Sequence, residues 1–187
     1  MYLQSQQRIE GTIFVLNDDE RLRERLVHLF HSAGLPTAPF CCTETFLAAP
    51  FPEVPHCIIL DVRINGKSGL ALQQRLNTSS SCAACVFLSK VADVRTSVSA
   101  MKAGAVDFLT TPFRDQDLVD AVYEGLSHSS ARWSSKHHAR ELQKGLGQLT
   151  PRELEVMQLV VRGLLNKQVA GRSWHHRDQL KPSPNWS

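Results

Sequence analysis

Cys57-Ile58-Ile59-Leu60-Asp61 and Thr12-Ile13-Phe14-Val15-Leu16-Asn17-Asp18-Asp19 share one pattern, a short apolar run that stops at acidic residues. Runs of that length, apolar at consecutive positions and bounded by polar residues, read as strands buried on both faces. In an open parallel sheet, ligands bind outside the carboxyl ends of the strands, so the two acidic ends meet in one crevice. Like charges held that close together call for a cation. The two stretches therefore outline a metal-assisted phosphate site.

Outward from these strands, strand-like and helix-like runs alternate as far as residue 127. Asp19 or Glu20 opens an amphipathic stretch in which Leu22, Leu26, Leu29 and Phe30 recur at helical spacing before Gly34. A short strand at Thr37–Phe40 and a helix at Thr43–Ala48 lead to the strand ending at Asp61. A helix from Ser68 to Leu76, the strand Cys85–Leu88 and a helix Val94–Ala103 stopped by Gly104 come next. The strand Val106–Leu109 and a helix starting near Asp115-Gln116-Asp117 complete the series. Five β/α repeats with short connections predict a doubly wound parallel sheet with helices on both faces.

A chain of 187 residues, 42% hydrophobic, buries one full core and at most a small second one, so one domain with an appendage is expected. The amino-terminal Met1-Tyr2-Leu3-Gln4 is polar, and no apolar run approaches the ~20 residues needed to cross a bilayer, which predicts a soluble cytoplasmic protein. The five cysteines include Cys82-Ala83-Ala84-Cys85, but this lone CxxC leads into a strand and reads as free, reduced thiols. Charge is divided unevenly. Residues 1–128 hold 11 Lys/Arg against 14 Asp/Glu, whereas residues 129–187 hold 10 against 4, so a net −3 and a net +6 make up the chain's +3. An acidic front with a basic tail suggests a regulatory domain joined to something that meets a polyanion, the alternative being a solvated basic tail.

The composition changes after residue 127, with Ser127-His128-Ser129-Ser130, His137-His138 and scattered Arg and Lys among few apolar anchors. This segment, 128–147, reads as a helical linker. A second unit then starts sharply. Thr150-Pro151-Arg152-Glu153 is a capping box with Pro at the first helical position, and Leu154, Val156, Met157, Leu159, Val160 and Val161 supply an apolar face before Gly163. Asn166 or Lys167 begins another helix.

On these residues, 12–125 resemble the receiver domain of two-component response regulators, and Ala100-Met101-Lys102-Ala103-Gly104-Ala105-Val106-Asp107-Phe108 resembles the FixJ-type branch. The resemblance implies a flavodoxin-like five-stranded 2-1-3-4-5 sheet, Mg²⁺ as cofactor, and a signalling protein, not an enzyme, that takes a phosphoryl group from a sensor histidine kinase. It makes Asp61 the phosphoryl acceptor. Asp18 matches the direct metal ligand, the backbone carbonyl of Arg63 a further one, and Asn17 stands where the family usually has a second acid that reaches the metal through water. Ser89 matches the switch hydroxyl and Phe108 the switch aromatic, for which the alternative is an ordinary core or edge aromatic. Thr111 stands where the family has lysine, so a cation is missing; Asn17 removes one negative charge and Thr111 one positive, which leaves the formal balance unchanged. Lys90, directly after Ser89, is a candidate substitute cation, the alternative being a solvated surface lysine.

Leu149-Thr150-Pro151-Arg152-Glu153-Leu154-Glu155-Val156 and Gly163-Leu164-Leu165-Asn166-Lys167-Gln168-Val169-Ala170 resemble the front half of a LuxR-type helix-turn-helix, a domain that reads DNA through a helix in the major groove. The expected organisation is a receiver domain at 10–127, a linker at 128–147, a partial helix-turn-helix at 148–170 and an irregular tail at 171–187. Gly171–Asp178 has no apolar helical period, and Pro182 and Pro184 forbid a continuing helix. One choice of codons for Gly171–Asp178, moved by one base, encodes Glu-Asp-Leu-Gly-Ile-Thr-Glu-Ile, which resembles the missing turn and helix start and suggests a frameshift, natural or from sequencing. In the tail, His175-His176 lacks a ligand partner at metal spacing, and Trp174 and Trp186 among Arg172, Arg177 and Lys181 read as disordered in preference to nucleic-acid binding.

The leading reading is a FixJ/NarL-like regulator of transcription that dimerises through the face of its fourth helix, fifth strand and fifth helix. DNA is a partner for the intact family and impaired for this chain; no membrane is involved. A second reading is a phosphorylation-defective binding module that sequesters a kinase or partner regulator. A third, a phosphatase of the haloacid-dehalogenase class, wants an acid two residues past the nucleophile and meets Arg63 there.

Overall fold

In a computed structural model, residues 11–161 are described apart from 52, 80 and 92. Five parallel strands, β1 (Thr12–Leu16), β2 (Thr37–Phe40), β3 (His56–Asp61), β4 (Ala84–Ser89) and β5 (Asp107–Thr110), form one sheet in the order β2-β1-β3-β4-β5. The helices are α1 (Glu20–Ser32), α2 (Thr43–Ala48), α3 (Gly69–Thr78), α4 (Val94–Lys102), α5 (Asp115–Gly147) and α6 (Pro151–Val161). Every strand expected from the sequence is found, shifted by no more than one residue at either end.

Alternation along each strand sorts its side chains to two cores. Ile13, Val15, Cys57, Ile59, Val86 and Leu88 pack with Leu26 and Phe30 of α1 and with Leu118, Val122 and Leu126 of α5. Phe14, Leu16, Ile58, Leu60, Cys85 and Phe87 pack on the other face with Phe46 of α2, Leu72 and Leu76 of α3 and Ala100 of α4. β3 and β4 are buried at every position, as strands covered by helices on both faces must be. Each fully buried Leu, Ile or Phe contributes about 1.5–3 kcal/mol, so these two clusters hold the domain together.

Local signals set the helix ends. Asp19 caps α1 by accepting the Leu22 N–H on Oδ1 at 3.2 Å, and Asp93 caps α4 by accepting from Arg95 and Thr96. Gly104, at φ +87°, closes α4 with its N–H on Met101 O while the Ala105 N–H returns to Ala100 O. At the start of α3, Gly69 donates to Val62 O at 2.9 Å, and a Cβ on it would run into the Asp61 carbonyl oxygen.

The segment read as a linker is helical and continuous with α5, which runs 33 residues. Its buried positions Leu118, Ala121, Val122, Gly125, Leu126 and Ser129 recur at helical spacing along one face. The chain divides into two compact units, 1–136 and 137–187. In the second unit the capping box forms as the sequence expects: Thr150 N–H donates to Glu153 Oε2 at 2.8 Å and Glu153 N–H to Thr150 Oγ1 at 3.4 Å. Gly163, the helix expected from Asn166 or Lys167 and the tail at 171–187 lie outside the described residues.

Gly69→Ala is expected to destabilise the sheet domain by about 1–3 kcal/mol, read as a lower urea midpoint, because Asp61's backbone cannot yield to the methyl group. Gly145→Ala, where a Cβ meets nothing within 4 Å, should cause no loss.

Candidate functional site

Parallel pairing brings the carboxyl ends of β1, β3, β4 and β5 to one edge. Leu16 lies opposite Leu60, Asp61 opposite Leu88 and Ser89 opposite Thr110, so Asn17, Asp61, Ser89 and Thr111 meet where the apolar core stops. Asp61 is the one buried carboxylate among the described residues. Its Oδ1 accepts the Arg63 N–H at 3.0 Å and its Oδ2 accepts Asn17 Nδ2 at 3.1 Å. Burial pushes its carboxyl above the ordinary aspartate range; the Arg63 N–H opposes this, the Asp18 charge reinforces it, and Lys90 and Asn17 oppose it more weakly.

Asp18 is exposed, with Oδ2 accepting the Asn65 N–H at 3.1 Å. That N–H is delivered by a feature the sequence reading passed over. Arg63-Ile64 and Lys67-Ser68 pair antiparallel around Asn65-Gly66, both at positive φ (+49° and +79°), which is a type I′ turn. Asn-Gly between short extended segments is the usual signal for such a hairpin. Buried Ile64 pins it to the core, Asn65 Nδ2 donates to Cys41 O at 2.9 Å, and Lys67 forms an ion pair with Glu44.

Asn17 spans two partners. Its amide oxygen accepts the Asp19 N–H at 2.8 Å, and its amide nitrogen donates to Asp61 Oδ2 at 3.1 Å. The reason is local: the Asp19 N–H at the entry to α1 needs an acceptor, and once the oxygen turns to it only the NH₂ is left to meet a carboxylate. Arg23 Nη1 holds the Asn17 carbonyl at 2.8 Å, a contact with no signal in the sequence because it depends on where α1 docks.

On the other side of Asp61, Ser89 Oγ donates to Val91 O at 2.8 Å and accepts the Val91 N–H at 3.2 Å, so the hydroxyl is turned into the β4–α4 loop. Thr111 donates its N–H to Ser89 O at 2.9 Å and Oγ1 to the same oxygen at 3.4 Å, across from a cis peptide to Pro112. Phe108 is half-buried and stacked on Phe87 with centroids 6.2 Å apart. Lys90 Nζ lies 3.3 Å from Asp19 Oδ2 at the crevice rim, and its charge acts on Asp61 from there. Asp19, part of the acidic end of β1 and the opener of α1, is thus also Lys90's partner.

The donor set suits a small hard cation. The charge of Asp18 adds to the cost of ionising Asp61, and Arg63, two residues on, offers a backbone carbonyl. Two carboxylates and a carbonyl would suit Mg²⁺, an ion that keeps several waters and takes one or two carboxylates. The CxxC cysteines are both buried, and burial pushes the Cys85 thiol up to about 12, as suits inert, protonated core groups. No helix among the described residues is long and apolar enough to cross a membrane.

Comparison with known proteins gives the same architecture. Residues 13–123 match the family model of the response regulator receiver domain. Nodulation protein W of Bradyrhizobium diazoefficiens is 40% identical over 161 residues, covering 86% of this chain and 71% of that protein. The solved structure of response regulator StyR is 41% identical with a TM-score of 0.78, covering 87% of this chain and 82% of that one. Full-length FixJ from B. japonicum is 32% identical with a TM-score of 0.58, covering 87% and 80%. With a β2-β1-β3-β4-β5 sheet whose crest gathers Asp18, Asp61 and Ser89, this chain belongs to the two-component response regulators and carries the receiver domain of a FixJ-like transcriptional regulator.

Proposed function

We propose that Asp61 accepts a phosphoryl group from a sensor histidine kinase, with Asp18, Asp61 and the Arg63 carbonyl as ligands of Mg²⁺. What supports this is the burial of Asp61: a nucleophile held at the foot of the crevice by two donors, with one carboxylate and one ammonium nearby. A carboxylate oxygen of Asp61 attacks phosphorus, the bond from phosphorus to the donor's imidazole nitrogen breaks, and the electron pair leaves with the imidazole. Mg²⁺, when bound, neutralises charge developing on the phosphoryl oxygens. Asn17 orients the acceptor carboxylate as a donor, Ser89 exchanges its Val91 contact for the phosphoryl oxygen, and Phe108 follows. Thr111 supplies a hydroxyl but no charge, and Lys90 partly replaces the lysine usual at that position.

Phosphorylation is proposed to promote a homodimer through the face of α4, β5 and α5, on which Val94, Val98 and Met101 of α4 are 75%, 45% and 44% exposed. The linker, the partial helix-turn-helix at 148–170 and the tail are proposed as the output segment. Because 171–187 lacks an apolar helical period and holds two prolines, it is not expected to supply the base-reading helix. The alternative, a binding module that sequesters a kinase, is favoured by one observation, Thr111 at the lysine position.

Intact mass after acetyl phosphate and Mg²⁺ separates these readings. We expect a phosphate adduct in the wild type that elutes as a dimer, no adduct in Asp61→Asn, and labelling about two- to fivefold slower in Lys90→Ala, the scale of an exposed ion pair. No adduct in the wild type would leave only the sequestering module, steady phosphate release would indicate a phosphatase, and an unaltered rate in Lys90→Ala would remove that lysine's role.

Asp61 also sets a pH dependence. Its folded-state proton affinity exceeds the unfolded one, so the folded protein binds more protons in the window from the ordinary aspartate value of about 4 up to the raised value. Stability of the wild type relative to Asp61→Asn in metal-free buffer should therefore fall as pH rises through that window, then level off; a rise would contradict the assignment of burial as the dominant cause. In footprinting on palindromic promoter DNA across a range of salt, we expect no sequence-specific protection, and a specific footprint would overturn the account of residues 171–187.

A further inference from the structure

Cys41 and Cys42 stand side by side between β2 and α2, the first exposed and the second half-buried, whereas Cys57, Cys82 and Cys85 are all buried. Adjacent cysteines are poor partners for each other in a disulfide. Consecutive Cα atoms across a trans peptide are about 3.8 Å apart, below the roughly 4.4–6.8 Å that a disulfide spans. The pair therefore persists as a dithiol at the surface, open to a reagent that bridges two sulfurs through an interposed atom. Cys42 is the primed member: its Sγ lies 3.2 Å from Thr45 Oγ1. The Thr45 hydroxyl holds the Cys42 thiol below the ordinary cysteine range, with the Thr45 N–H, the Cys41 thiol and the Lys67 charge acting the same way against slight burial.

We propose that Cys41-Cys42 is a capture site for monosubstituted trivalent arsenic and chemically similar soft, two-coordinate thiophiles. For an aryl arsenic oxide, two As–S bonds form, the As=O bond breaks, and both thiol protons leave with that oxygen as water. Arsenic stays trivalent and no oxidant is needed. Thiolate softness favours this partner over hard cations.

Capture would be felt at Asp18. The Cys41 carbonyl holds Asn65 Nδ2 at 2.9 Å, and the Asn65 N–H holds Asp18 Oδ2 at 3.1 Å. Closing a ring over Cys41-Cys42 repositions that carbonyl and loosens the turn that supports the metal acid. This second step rests on the proposed phosphorylation of Asp61; the capture itself does not.

The test treats the native full chain with one equivalent of phenylarsine oxide and reads intact mass and peptide maps. The expected result is one phenylarsenic per chain, spanning Cys41 and Cys42, reversed by 2,3-dimercaptopropanol and lost in both Cys41→Ser and Cys42→Ser. An adduct on Cys82 and Cys85, one that survives in either serine variant, or none at all overturns the site. In a separate arm, acetyl phosphate labelling of arsenical-loaded wild type should slow about fivefold, the effect of losing one hydrogen bond. Unchanged labelling refutes the coupling, and a chain that never labels, loaded or not, sinks the phosphorylation reading while the mass result still decides capture.

Discussion

The register between β1 and β3 is the constraint on which the site depends. Leu16 and Leu60 are opposite each other and both fully buried, so neither strand can slide without bringing a polar residue into the core. A slip by one residue would exchange Phe14, Leu16, Ile58 and Leu60 for Ile13, Val15, Cys57 and Ile59 between the two cores and leave the side chains of α2 and α3 facing partners of the wrong size. Held this way, the chain meets its first polar residues on both strands at one level. Asn17 and Asp61 come within hydrogen-bonding distance because the apolar packing below leaves them nowhere else to be.

That meeting changes the chemistry of each residue. An acid at position 17 would add a second negative charge against Asp61; the amide instead donates to it and spends its oxygen on the Asp19 N–H. On the far side, Thr111 spends its hydroxyl on the Ser89 carbonyl. Lys90 pairs with Asp19 at the rim, where water screens its charge.

What the sequence made legible follows from packing. β3 and β4, apolar at successive positions and bounded by polar residues, could be little else but buried parallel strands, and the acids after β1 and β3 had to share an edge. The helical character of 128–147 was legible as well, but its docking was not: Ser129 is buried and accepts the His56 N–H at 2.8 Å from 73 residues away. Other features were less visible. The hairpin over Asp18 carried its Asn65-Gly66 signal but only two residues of strand on either side, too short for alternation to reveal. The meeting of the Asn17 amide with Asp61 and the pairing of Lys90 with Asp19 join residues 44 and 71 positions apart, which no local pattern encodes.

Asp19 divides its two oxygens between separate tasks. Oδ1 satisfies the orphan Leu22 N–H at the first turn of α1, while Oδ2 faces Lys90 across the crevice. Because the two duties fall on different atoms, Lys90 can swing away toward a new anion without taking the helix cap with it. α1 is thereby insulated from events at the β4–α4 loop, and the ammonium is tethered by a bond weak enough to surrender.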